Sequence, residues 1–242
     1  MAISVVQRTA AGNAALASTI PLAYVSNVTA GSILIAIGVT SSTLASLTGL
    51  TDSLNNTWTR LQTLDNNQVG ASNKFKIWYC QTTAGANTVT LTTGLQNSGL
   101  HIFEASGLAN TSSFDRFAAV QQQAVTSLSS PATSNTRFAN ELVIGFFINS
   151  DIAVLGWTIG GGFSNLTKQD TTFCNSMTEE LIVSTVGTQT STATLAANGD
   201  NIVSAVITFS DTPISGAAMF GNGGRYMSAA GGNGISTSGW AN

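Results

Sequence analysis

The spacing of its apolar runs is what most restricts the fold of this chain. About ten short runs, parted by turn residues at intervals of roughly eight to twelve positions, form the pattern of an all-β sandwich or barrel. They occupy residues 3–8, 32–40, 58–64, 75–80, 88–92, 99–105, 141–148, 179–184, 191–195 and 202–209. An α/β chain would need helices of about ten residues or more between its strands, and no such period is sustained here. SILIAIGVT at 32–40 is almost wholly apolar and β-branched, which predicts a central strand covered on both faces. GLHIFEASG at 99–107 predicts a core strand closed by Gly107 and carries the sole histidine, His101. In FKIWYC at 75–80 the alternation puts Phe75, Ile77 and Tyr79 on one face and Lys76, Trp78 and Cys80 on the other. Both faces are largely apolar, so a second layer or a subunit contact must cover the Trp78 side. A short turn of helix is expected at 42–47. The Ser- and Gln-rich stretch 108–135 is assigned no strand, with Phe114, Phe117 and Val120 packing locally.

A chain of 242 residues can bury a sizeable core as one domain, and residues 1–210 are read as that domain, an antiparallel, jelly-roll-like β-sandwich. After Ser210 the composition turns Gly-rich with almost no apolar run. Residues 211–242 are therefore expected to be a tail that stays mobile or drapes over a neighbouring subunit. Charged residues make up only 8% of the chain, against roughly a quarter in an average soluble protein. Ser, Thr, Asn, Gln and Gly take their place. Such a surface hydrogen-bonds water but repels its neighbours weakly, which suits a protein packed against copies of something.

Several classes are excluded on composition. The eight Lys and Arg are scattered and the net charge is -3, whereas a nucleic-acid groove needs clustered cations to displace counterions. No stretch approaches the roughly eighteen consecutive apolar residues of a membrane span. The N-terminus, MAISVVQR, lacks the basic region and apolar core of a secretory signal. One His and two Cys make no zinc cluster, and no metal or cofactor is expected. Cys80 and Cys174 are expected to be buried and reduced, with a single bridge as the alternative.

No motif names a reaction. His101 and Glu104 lie three apart on a strand and point to opposite faces, so they form no acid-base pair. Asp115 with Arg116, and Glu179 with Glu180, are adjacent residues whose side chains diverge, as a shared-proton dyad cannot. Gly160, Gly161 and Gly162 lack the Lys-Ser/Thr and the helix of a phosphate loop, and read as a bulge or flexible loop. Asp52, Asn55 and Asn56 have oxygen ligands that suit calcium, yet one carboxylate makes a weak site, and turn stabilisation is the better reading. Trp58, Trp78 and Trp157 lie in or beside predicted strands as core or interface. Trp240 lies in the tail, where a large aromatic needs a partner to bury it.

Seven segments in order make a further pattern. They are VTAGSILIA at 28–36, TDSLNNTWTRL at 51–61, IWY at 77–79 with AGANTVTL at 84–91, IFEASGL at 102–108, ANELVIG at 139–145, GFSNL at 162–166 and TATLA at 192–196. Together they resemble a widespread family of poorly characterised β-sandwich domains found in bacterial surface proteins and in structural proteins of tailed bacteriophages. The resemblance spans most of residues 1–210 and implies a scaffold or interaction role, without a catalytic set to carry over. The expected function is thus a non-enzymatic virion structural protein of a tailed phage, assembled in the host cytoplasm. A capsid cement or decoration protein fits best, working as a homo-oligomer, in first place a trimer, on the major capsid protein. Tyr226 and Trp240 in the tail, and Trp78, are its candidate interface residues. The alternative is a carbohydrate-binding module or tail-fibre adhesin, with exposed aromatics such as Trp157 and Asn-rich loops holding a glycan. A hydrolase is disfavoured, because the only histidine has no evident orienting partner.

Overall fold

The computed structural model describes residues 2–13, 17–40, 47–61, 74–95, 97–149, 156–171, 174–199 and 201–213. The expected helical turn at 42–47, the end of the run at 58–64 and the tail with Tyr226 and Trp240 lie wholly or largely outside the described residues. Those residues form strands and turns with no helix among them. The first eight strands are β1 (Ser4–Asn13), β2 (Thr19–Ala23), β3 (Ile33–Thr40), β4 (Gly49–Asp52), β5 (Thr59–Arg60), β6 (Lys74–Gln81), β7 (Thr88–Thr92) and β8 (Ser98–Ser106). The next eight are β9 (Phe114–Gln122), β10 (Val125–Ser129), β11 (Asn140–Asn149), β12 (Trp157–Ile159), β13 (Ser164–Thr171), β14 (Cys174–Ser184), β15 (Thr192–Gly199) and β16 (Ile202–Ser210).

The pairings are antiparallel, and the two halves are wound alike. The first half forms a five-stranded sheet, β1-β8-β3-β6-β5, and a three-stranded sheet, β2-β7-β4. The second forms β9-β16-β11-β14-β13 and β10-β15-β12, the same order eight strands later. This winding is jelly-roll-like: within each half sequential strands alternate between the two sheets, except that β5 and β6, and likewise β13 and β14, are neighbours in one sheet. Even the registers correspond. Ile33 lies between Gln81 and Ala105, and Leu142 lies between Ile182 and Phe209. A bulge interrupts β1 between Val5 and Gln7, and an irregularity interrupts the β9–β16 ladder between Ile207 and Phe209, at the matching place. Counting along these ladders, Glu179 occupies in the second half the position that Trp78 has in the first.

The two five-stranded sheets pack face to face, so the molecule is a stack of four layers with the three-stranded sheets outermost. Alternation explains how one strand serves two layers. Ile33, Ile35, Ile37 and Val39 of β3 meet Leu142, Ile144, Phe146 and Ile148 of β11 in the central layer. Leu34 and Ala36 point the other way, onto Val89 and Leu91 of β7, and Phe147 onto Ala193 and Leu195 of β15. Inner strands covered on both sides are thus buried throughout, as β3 and β16 are, whereas the outer strands β7 and β15 alternate, with Val89, Leu91, Ala193 and Leu195 turned inward. Gly107, at φ +76, ends β8 as the sequence predicts; a Cβ there would stand 2.3 Å from the Ala2 carbonyl oxygen.

The sixteen strands among the described residues exceed the ten or so of the sequence reading by the short outer-layer strands β2, β4, β10 and β12 and by the edge strands β9 and β13 of one inner sheet. The stretch 108–135 contains β9 and β10, whose single buried faces leave little apolar periodicity. Trp78 is corrected from a candidate subunit interface to an interior residue. It is 4% exposed and covered by the chain's own outer sheet. Cys80 and Cys174 are both free and buried, in different layers.

Because one central layer is shared by both halves, they should unfold together. Phe146 packs there against Phe75 with ring centroids 5.0 Å apart and against Phe117 at 6.5 Å. Phe146→Ala is expected to destabilise the chain by about 3–5 kcal/mol while leaving a single transition. Calorimetry of the variant checks both, and two separated transitions would mean that the halves are independent.

Candidate functional site

Strand pairing carries the histidine into the central layer, where β14 closes over it. His101 is 1% exposed, and its Nε2 lies 2.8 Å from Ser176 Oγ. Gln169 Nε2 donates to the same hydroxyl at 3.0 Å, so Ser176 turns its proton toward His101 Nε2. Nδ1–H then faces Thr178 Oγ1 at 3.4 Å, and Thr178 donates to the Thr167 carbonyl at 3.4 Å. A histidine next to a serine could suggest an activated nucleophile. Here no carboxylate orients the ring, and two sheets cover both groups. Burial pushes the imidazole down from 6.5 to about 3, so it stays neutral and ties the sheets together.

Glu104 faces the opposite side, as the strand parity predicts. Its Oε2 accepts from Gln7 Nε2 at 2.6 Å and its Oε1 from the Thr29 amide at 2.8 Å. Glu179 and Glu180 likewise diverge. Glu180 turns into the central layer, where Oε1 pairs with Arg8 at 2.9 Å and accepts from Asn165 Nδ2 at 2.6 Å. Asp52 spends its oxygens on nitrogen donors, namely the Asn56 amide at 3.0 Å, Asn56 Nδ2 at 2.8 Å and Trp58 Nε1 at 3.0 Å. Bonds from N–H groups point hydrogens, not lone pairs, at the carboxylate, which makes this a turn lock and not a calcium site. No cluster of metal ligands occurs among the described residues.

One pairing is invisible in the sequence. Asp115 accepts from the Arg137 amide at 2.7 Å, with the Arg137 and Arg116 guanidinium groups 3.3 Å and 3.4 Å away. Beside it Glu141, fully buried, is pushed up to about 8 by burial and by the neighbouring Asp115 carboxylate, so it keeps its proton at neutral pH. Only the return of β11 beside the β9–β16 ladder joins these two acids, which are far apart in the chain.

The accessible feature lies on the outer sheet of the second half. A shallow open groove of about 420 Å³ crosses β10, β15 and β12, lined by Ser127, Ser129, Thr158, Thr192 and Thr194, with Ile159, Gly160 and Gly161 on one side. Ser127, Thr194 and Thr158 stand in one cross-strand row. The glycines give the wall its course. A Cβ on Gly160 would lie 2.1 Å from the Thr192 carbonyl oxygen, so only glycine crosses the strand this closely. Behind the wall Glu179, fully buried, accepts the Gly160 amide at 2.8 Å through Oε2. Burial pushes Glu179 up from 4.5 to about 7, against the backbone amides of Gly160 and Thr192 that favour its charge. Trp157 is turned inward against Phe147, with centroids 6.5 Å apart, so it forms no aromatic platform on this surface.

The class of protein these features define is an all-β double sandwich with its reactive groups buried and a polar, uncharged groove outside. Neither a protein-family model, nor a curated protein, nor a solved structure matches the chain.

His101 and Glu179 should act on the pH dependence of stability in opposite senses, with Glu141 acting in the same sense as Glu179. His101 has a lowered folded pKa, so its contribution is full above pH 6.5 and is lost as pH falls toward about 3. Glu179 has a raised one, so its contribution is full below pH 4.5 and is lost as pH rises through about 7. Urea unfolding from pH 4 to pH 8 should show His101→Gln flattening the acid limb and Glu179→Gln the alkaline one.

Proposed function

We propose that this chain is a non-enzymatic structural protein of a tailed-phage virion, a cement or decoration protein that acts as a homo-oligomer on the capsid. The observation that carries the non-catalytic part is the burial of His101 and Ser176 between two sheets, which leaves the only histidine of the chain and its serine partner without room for a substrate. The virion part rests on the seven ordered motifs and on a surface with few charges. A four-layer body with one shared core resists deformation, as a shell component must. Each contact with a shell subunit is small, and coupling through an oligomer multiplies them into avidity.

The mass of the protein in solution and its binding to undecorated capsids test the reading, with and without residues 211–242. A trimer that binds capsids, and loses either property on truncation, is the expected result. A monomer that ignores capsids would overturn the proposal. Unchanged assembly and binding after truncation would remove the tail, with Tyr226 and Trp240, from the mechanism.

A further inference from the structure

The internal repeat allows the two outer sheets to be compared residue by residue. Thr88-Val89-Thr90-Leu91 of β7 matches Thr192-Ala193-Thr194-Leu195 of β15, with Val89, Leu91, Ala193 and Leu195 facing inward. Thr51 of β4 matches Thr158 of β12 by the same pairing. Beneath these matched surfaces the halves differ. The first fills the space with Trp78, an ordinary core residue. The second places Glu179 there and accepts the cost of burying a carboxyl whose Oε1 has no partner. What the carboxyl obtains is the Gly160 amide, and with it the glycine wall that turns an outer sheet face into a groove.

Ser127, Thr158, Thr192 and Thr194 are all exposed, and their hydroxyls stand together along the groove. Neighbouring strands lie about 4.8 Å apart, so the row across β10, β15 and β12 spans two such spacings and offers donors and acceptors over about the length of two sugar units. Among the described residues no charged side chain lines the groove, and Ile159 supplies an apolar edge. The described lining thus offers an anion no cation and a cation no carboxylate, because Glu179 is held behind the wall. A ligand rich in neutral hydroxyls with C–H faces matches this lining, since each hydroxyl both gives and accepts a bond.

We propose that the groove over β10, β15 and β12 is a binding site for a neutral glycan, with the row Ser127, Thr194 and Thr158 reading its hydroxyls and the Gly160–Gly161 wall bounding it. A groove this shallow binds a single sugar unit weakly, and repetition on an oligomer would raise the avidity. The site does not depend on the virion reading, since capsid binding and glycan binding are measured separately.

The test uses the full chain. Neutral gluco-, manno-, galacto- and N-acetylglucosamine oligosaccharides, with uronate and sialylated ones beside them, are presented on an array, and hits are titrated by calorimetry. A Cβ on Gly161 meets nothing within 4 Å, so Gly161→Trp fills the groove without strain in the fold. Thr194→Val removes one hydroxyl at constant shape, and Thr90→Val makes the same change on the sister sheet. At least one neutral series should bind. Gly161→Trp should abolish that binding, Thr194→Val should weaken it about three- to tenfold, and Thr90→Val should leave it unchanged. Melting curves confirm that the variants are folded, and Thr194→Val decides alone if Gly161→Trp is not. The proposal is overturned if no neutral oligosaccharide binds at millimolar concentration, if only anionic ones bind, or if Thr194→Val and Thr90→Val behave alike.

Discussion

The packing of one five-stranded sheet on the other is the contact on which the rest of the molecule depends. It requires β3, β8, β11 and β16 to be buried on both faces, which explains why β3 and β16 carry no charged residue. The aromatic group of Phe75, Phe117 and Phe146 fills one side of that layer. By the count along the ladders Ser176 holds the place of Phe75 in the second half, and there it meets His101, with Thr178 beside them. The central layer is thus apolar at one side and hydrogen-bonded at the other. Hydrogen bonds have direction, and a polar plug fixes how two sheets register where greasy surfaces alone would slide.

Doubling one winding within a single chain also separates stability from recognition. Both halves supply a face to the shared core, so neither outer sheet is needed to close it. The outer sheets are free to differ, and the difference is concentrated where Trp78 gives way to Glu179. An apolar residue there would pack better. The carboxyl instead holds a loop whose only conspicuous property is its lack of side chains, and which borders the polar groove. Destabilising features of this kind belong to places that the molecule uses.

Much of the architecture could be read without coordinates. Runs 32–40, 99–105, 141–148 and 202–209 proved to be inner strands, and Gly107 ends its strand as a turn glycine should. The opposed directions of His101 and Glu104, and of Glu179 and Glu180, followed from strand parity alone. The repeat was also legible, in Thr88-Val89-Thr90-Leu91 and Thr192-Ala193-Thr194-Leu195, but four residues that suit any half-buried strand did not stand out as a duplication. The strands β2, β4, β10 and β12 escaped because a short strand leaves too few apolar positions to make a period, and the longer β9 and β13 escaped because polar residues interrupt their apolar ones.

By itself the sequence determined the class of fold, since the alternation of side chains along an extended chain is a local property that no partner strand can alter. Only the tertiary structure decided which apolar faces met each other, that Trp78 is covered from within, and that Asp115 and Glu141 share a burial site. It alone joined Gly160 to Glu179 and set Ser127, Thr158 and Thr194 in one row. Such pairings depend on register between distant strands, which is fixed by the packing of whole layers and is written in no single stretch of chain.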